Sequence, residues 1–214
     1  MLICDKIISI KVKSGAMLMA YENMLIDLAK QNNGIITAKM ATEAGILNGS
    51  IKYLVDNGKL ERVARGVFVL PDAWEDEFVT WQSKYKRGIY SLDTALFLLD
   101  LTDRTPGKFN MTFPSKYNVS NPKKDGIICN SLKFDIYNEG IIELKTPMGN
   151  MVKAYNAEKT LCDILRIRNR VDIQVVSEAF KRYVSQPANI PLLSKYAKML
   201  KVEDKLRSYI EVLL

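Results

Sequence analysis

Between Tyr21 and Leu70 the apolar residues switch from a helical period to a strand period, with glycines at the points of change, so the stretch must fold as several short elements. Tyr21, Met24, Leu25 and Leu28 recur at i, i+3, i+4 and i+7 and share one face of a first helix. Asn33-Gly34 ends it with two residues that tolerate left-handed backbone. Thr37 then offers an N-cap oxygen to a second helix through Ala38, Ala41 and Ala44, whose small side chains allow close approach. After Gly45-Ile46-Leu47, Asn48 is expected to cap a third helix over 48–57 that buries Ile51, Leu54 and Val55. From Lys59 to Leu70 apolar and polar residues alternate around Arg65-Gly66 as in a hairpin, with Leu60, Val63, Val67 and Phe68 or Val69 available to pack.

Two helices joined at a glycine turn and followed by a hairpin have the order of a winged helix-turn-helix. At about 100° per residue, the face opposite the buried stripe of helix 48–57 carries Gly49, Lys52, Tyr53 and Asp56, with Ser50 and Asn57 at its margins. Such a helix fits the DNA major groove, its N-terminal residues meeting base edges and nearby cations meeting phosphates. Asn48, Ser50, Lys52 and Tyr53 are the expected helix contacts, with Lys39 and the wing residues Arg62 and Arg65 completing the DNA-binding set. The bland alternative is a solvated face, but helix, turn, helix and wing in this order are more specific than any one part.

The net charge of +7 favours anionic partners. Residues 1–72 hold nine Lys and Arg against seven Asp and Glu, so most of the excess lies after the wing. There is no histidine, which removes Ser-His-Asp and Cys-His catalysis and histidine-containing zinc sites. Cys4, Cys129 and Cys162 have no Cys-x-x-Cys spacing, and a reducing cytoplasm suits them. No run approaches the roughly 20 apolar residues of a membrane span, and no signal-peptide pattern opens the chain. The alternation of Ile8, Ile10 and Val12 leaves residues 1–20 a leader that is a strand, a flexible arm or an extension before Met17 or Met19.

Pro71-Asp72 ends the wing and sets the expected boundary between a DNA-binding domain over 21–72 and a second domain over 73–214. A helix is expected from Ala73, with three acids in its first turn, and a core helix after Ser91 through Leu92, Ala95, Leu96 and Leu99. Strands are expected at 109–114 and 126–137, separated by a loop holding Lys116, Lys123 and Lys124, and at 141–144 and 152–155 about Gly149-Asn150. Asn156 and Asp172 cap two further helices, read as showing cations outward, and Pro191 opens a helical tail that ends with Leu206, Tyr209, Ile210 and Leu213. The fold class is therefore mainly α with α+β, a winged helix-turn-helix followed by an α+β domain with a helical C-terminal tail.

Tyr90-Ser-Leu-Asp-Thr-Ala-Leu, Leu101-Thr-Asp-Arg-Thr-Pro and Phe113-Pro-Ser resemble the start of the second domain in AbiEi-like antitoxin regulators of the bacterial AbiE abortive-infection system. Thr146-Pro-Met-Gly-Asn, Glu158-Lys-Thr-Leu-Cys-Asp-Ile-Leu-Arg, Asp172-Ile-Gln and Ala179-Phe-Lys-Arg-Tyr-Val are similar to that family too, as is Gly66-Val-Phe-Val-Leu-Pro at its domain junction. The sequence departs at Leu92, where many relatives are expected to have histidine. The resemblance implies a type IV toxin-antitoxin system. In it, the first domain represses its own operon and the second counteracts a nucleotidyltransferase-like toxin without a stable complex.

No catalytic, metal or cofactor set is expected. Asp100 and Asp103, three apart at the end of the core helix, could share a metal, but Asp103 reads better as a cap or turn residue beside Arg104; Gly49-Ser50 lacks the Asp-x-Asp of a nucleotidyltransferase, and Cys162 reads as a small buried residue. Lys159, Arg166, Arg168, Arg170, Lys181 and Arg182 form a possible C-terminal basic patch, toward flanking DNA or an RNA. The alternatives are a ligand-responsive repressor and a nucleic-acid-modifying enzyme with a winged docking domain.

Overall fold

The computed structural model describes residues 19–166 and 171–213. The expectation for residues 1–16 lies outside them. The chain forms two compact units, one reaching Lys84 and including Met148–Asn150, the other made of Tyr85–Pro147 and Met151–Leu214. The expected boundary at Pro71-Asp72 and this division differ by one helix.

In the first unit, α1 (residues 19–31) ends where Asn33 and Gly34 take φ of 54° and 84°, and Gly34 N donates to Ala29 O at 2.8 Å. Two left-handed residues in succession turn the chain sharply into β1 (Ile35–Thr37), a strand too short to show a period in the sequence. A Cβ on Gly34 would lie 2.2 Å from that of Ala73. Gly34→Ala therefore meets both a clash and an unfavourable φ, and should cost about 2 kcal/mol or more in urea unfolding. A change below roughly 0.5 kcal/mol would contradict this packing.

Thr37 caps α2 (Ala38–Glu43), its Oγ1 accepting from Met40 N at 3.2 Å. Gly45 turns the chain at φ 72°, and α3 (Asn48–Asp56) follows with Leu47 as N-cap rather than Asn48. The helix thus starts one position earlier than expected. The hairpin is present as β2 (Glu61–Ala64) and β3 (Val67–Val69), with the register shift of a bulge between Arg62 and Ala64. β1 pairs antiparallel with β3, giving the order β1-β3-β2. Leu25, Ile36, Ala41, Ile46, Ile51, Leu54 and Leu60 form one core between helices and sheet. At about 25 cal/mol per Å² of apolar area, burying such side chains is what holds these short helices in place. α4 (Glu77–Lys84) begins four residues later than expected, because Asp76 takes the capping role and accepts from Phe78 N at 3.0 Å.

The second unit is a mixed α+β body. β4 (Ile89–Tyr90), α5 (Leu92–Leu98), β5 (Asn110–Pro114), α6 (Ser120–Lys124) and β6 (Ile128–Leu132) come first. α7 (Phe134–Asn138), β7 (Ile141–Lys145) and β8 (Met151–Tyr155) follow. The sheet order is β6-β5-β4-β8-β7, with β5/β6 and β4/β8 parallel and the other pairs antiparallel. Two expectations need correction. Residues 134–137 do not extend the strand but form α7, because the turn lets the Tyr137 hydroxyl donate to Arg87 O at 2.7 Å while its ring packs with Ile89, Leu132 and Tyr155. The expected loop at 116–124 contains α6, the crossover that two parallel strands need.

Ser91 holds the N-cap position of α5 without a capping bond, since its Oγ accepts from Thr112 Oγ1 at 2.9 Å. Leu92 has a φ of 49° and is buried in the main core, a strained backbone fixed by its packing. That core continues through α8 (Ala157–Ile164), α9 (Ile173–Val184), α10 (Ile190–Leu200) and α11 (Glu203–Leu213). Two caps follow expectation, Asn156 accepting from Lys159 N and Asp172 from Gln174 N, and α10 is capped by Asn189, which accepts from Leu192 N beside Pro191.

Candidate nucleic-acid interface

The helical period of α3 decides what it presents. Ile51 and Leu54 are buried at 2% and 0% exposure, so Gly49, Lys52, Tyr53 and Asp56 come out on the solvent side. Tyr53 is 39% exposed, a large ring left in water on a helix whose other face is core. Asn57 closes the helix, its Nδ2 donating to Tyr53 O at 2.7 Å, which steadies the last turn under that ring. Asn48 is the first helical residue.

Ser50 does not belong to this face. It is 6% exposed, and its amide donates to Leu47 O at 2.9 Å. Lying about 100° from Ile51, it falls on the buried side of the margin rather than the open one. A base edge cannot reach it as the helix stands.

The hairpin carries its two arginines into solvent. Arg62 is exposed and its Nε donates to Ala64 O at 3.4 Å, while Arg65 is exposed at the turn beside Gly66, whose φ is 77°. Lys39 on α2 is also exposed and sits 3.5 Å from Glu43 Oε1, a surface pair that holds a lysine only weakly. The unit therefore exposes Lys39, Lys52, Tyr53, Arg62 and Arg65 on a helix, a neighbouring helix and a hairpin that share one core. Lys59, which was not in the expected set, pairs with Glu22.

The expected C-terminal patch is not assembled. Lys159 is fully buried, its Nζ donating to Ile136 O at 2.6 Å and Glu139 O at 2.7 Å, with the Tyr155 ring centroid 3.4 Å away. The reason is that α8 has no outward face at this point: every residue from Lys159 to Ile164 is buried. Arg166 pairs with Asp163 at 3.0 Å. Arg182 pairs with Asp103 and with Glu178, the latter at 2.8 Å. Arg168 and Arg170 lie outside the described residues, and Lys181 is exposed. Asp103, whose carboxyl the Arg182 hydrogen bond holds below the usual range, is thereby engaged by a cation.

Burial pushes the Cys162 thiol up to about 12, with the carboxylates of Asp163 and Glu158 adding to the shift, so it stays a thiol packed in the core. Among the described residues no group of three or more His, Cys, Asp or Glu side chains is arranged to hold a metal ion, and no helix is long and apolar enough to cross a membrane.

No curated protein matches the chain. The crystal structure of the RV2827C protein from Mycobacterium tuberculosis superposes with a TM-score of 0.52 over 82% of this chain and 70% of that one, at 14% identity. That likeness is one of fold. Residues 23–71 match the family model described as transcriptional regulator, AbiEi antitoxin. The match spans α1 through the hairpin, the elements that carry the exposed face of α3. Over residues 23–71 the chain is thus similar to the AbiEi antitoxin family of transcriptional regulators.

Proposed function

We propose that this chain is a cytoplasmic antitoxin and autorepressor of a type IV toxin-antitoxin system. Its first unit reads operator DNA in its own promoter as a winged helix-turn-helix, α3 entering the major groove and the hairpin acting as the wing. Lys52 and Tyr53 meet bases, Asn48 lies at the end of α3 that enters first, and Lys39, Arg62 and Arg65 neutralise phosphates. The observation that carries this reading is the exposed Lys52 and Tyr53 on a helix seated on its own core, next to a hairpin with two exposed arginines. The regulator family matched over the same residues supports it. The second unit counteracts a nucleotidyltransferase-like toxin without forming a stable complex, and the chain itself is not an enzyme.

Wing and helix should differ in what they contribute. Arg65→Ala is expected to weaken binding to operator and scrambled DNA alike and to flatten the salt dependence by about one phosphate contact. A loss confined to the operator would give Arg65 a base contact instead. For the second unit, co-expression with the toxin decides: full-length Lys52→Ala with Arg65→Ala should still rescue growth after losing repression. Loss of rescue together with repression would tie neutralisation to DNA binding and overturn the division of labour.

A further inference from the structure

A basic and aromatic corner of the second unit has no part in the reading above. Arg87 precedes β4 and Lys116 follows β5; because these strands are antiparallel, with Ile89 opposite Thr112, both residues lie at one end of the sheet. The parallel register of β5 and β6 brings Lys133 to the same end, since Pro114 is opposite Leu132 and Ser115 N donates to Leu132 O at 2.8 Å. The bond from the Tyr137 hydroxyl to Arg87 O ties α7 to this corner.

Lys86, Arg87, Lys116 and Lys133 are all exposed. Among the described residues none of these lysines is held in an ion pair, whereas Arg166, Arg182 and Lys195 each are. Unpaired cations alone are an ordinary solvated face. Here they surround aromatic rings. Tyr117 stacks on the buried Phe113 with centroids 4.8 Å apart and planes at 9°, and the Arg87 guanidinium lies 5.9 Å from the centroid of the same ring. Phe134, next to Lys133, is 59% exposed, an apolar ring left in water among charges. The nearby carboxylate of Asp125 is engaged by the Tyr85 hydroxyl, and Asp135 is the exposed acid on α7.

We infer that this corner binds a single-stranded nucleic acid, its phosphates on Lys86, Lys116 and Lys133 and an unstacked base on Phe134. Rings beside a track of cations suit single strands, whose bases are free to leave their neighbours, better than a duplex, whose base faces are hidden. The site shares no residue with the operator-reading face, so either stands if the other fails.

The test uses the full chain and fluorescence anisotropy with a short oligouridylate, a short oligothymidylate and an unrelated duplex. Lys116→Glu combined with Lys133→Glu should weaken single-strand binding roughly tenfold or more, and Phe134→Ala several-fold, with duplex binding little changed. Lys181→Glu, on α9, should leave all three unchanged. A stronger loss on oligouridylate than on oligothymidylate identifies RNA as the source, and the reverse identifies DNA. Equal losses on single strand and duplex, or no effect of Phe134→Ala, would reduce the corner to a general anion surface and overturn the inference.

Discussion

Lys159→Ala should lower the unfolding free energy of the second unit by about 3 kcal/mol, a large effect for a charged residue. The side chain is fully buried, and its Nζ donates to the carbonyls of Ile136 and Glu139 at 2.6 and 2.7 Å. Alanine removes both donors and leaves a cavity under the Tyr155 ring. Lys159→Met keeps most of the volume and loses only the donors, so it should cost less than alanine but clearly more than nothing. Equal stability of wild type and methionine variant would mean that the two carbonyls find other partners.

The same residue sets a pH dependence. Burial pushes the Lys159 ammonium down to about 7 from its usual 10.5, against the opposing pull of Asp163 and Glu139. Between these values the unfolded chain binds the proton and the folded chain does not, so the contribution to stability rises with pH. Below about 7 both states are protonated and the burial cost is present in full. Wild type should therefore gain stability relative to Lys159→Met between pH 7 and pH 10 in urea titrations. Parallel curves across that window would show that the ammonium stays charged when buried.

The second large effect concerns recognition. Lys52→Ala and Tyr53→Ala should each lower operator affinity by roughly tenfold, about 1.4 kcal/mol, with little change on scrambled DNA. Both side chains are exposed on α3, so neither change opens a cavity in the core beneath it. Ser50→Ala supplies the contrast. Because Ser50 is buried, its loss should be read in stability and not in the ratio of operator to scrambled affinity. A specificity ratio unmoved by both Lys52→Ala and Tyr53→Ala would mean that another element reads the bases.

These residues also show how far the sequence could be read. The open face of α3 was legible because Ile51 and Leu54, three apart, fix the helix rotation, and Lys52 and Tyr53 follow from it. Ser50 was not, because a small hydroxyl at the margin of a stripe is accepted on either side. The pair β7 and β8 was readable from Gly149, which takes a φ of 83° between two alternating runs. β1 is not legible in the sequence because three residues cannot show a period, and its pairing with β3 is non-local. Phe134 to Tyr137 alternates as a strand would, and only the distant Arg87 carbonyl and the packing around Tyr137 select the helix. The burial of Lys159 is hidden from the sequence for a similar reason. A lysine signals solvent by type, and the carbonyls that hold it inside belong to residues 20 and 23 positions earlier.

The exposed face of α3 and its hairpin are proposed to read an operator. The most direct test measures binding of the full chain to the DNA upstream of its gene, at two salt concentrations, against a scrambled duplex of equal length. The expected result is operator binding tighter than scrambled by at least about a hundredfold and weakened by salt, with the preference reduced by Lys52→Ala and Tyr53→Ala. Equal affinity for both duplexes at both salt concentrations would contradict autorepression through this face.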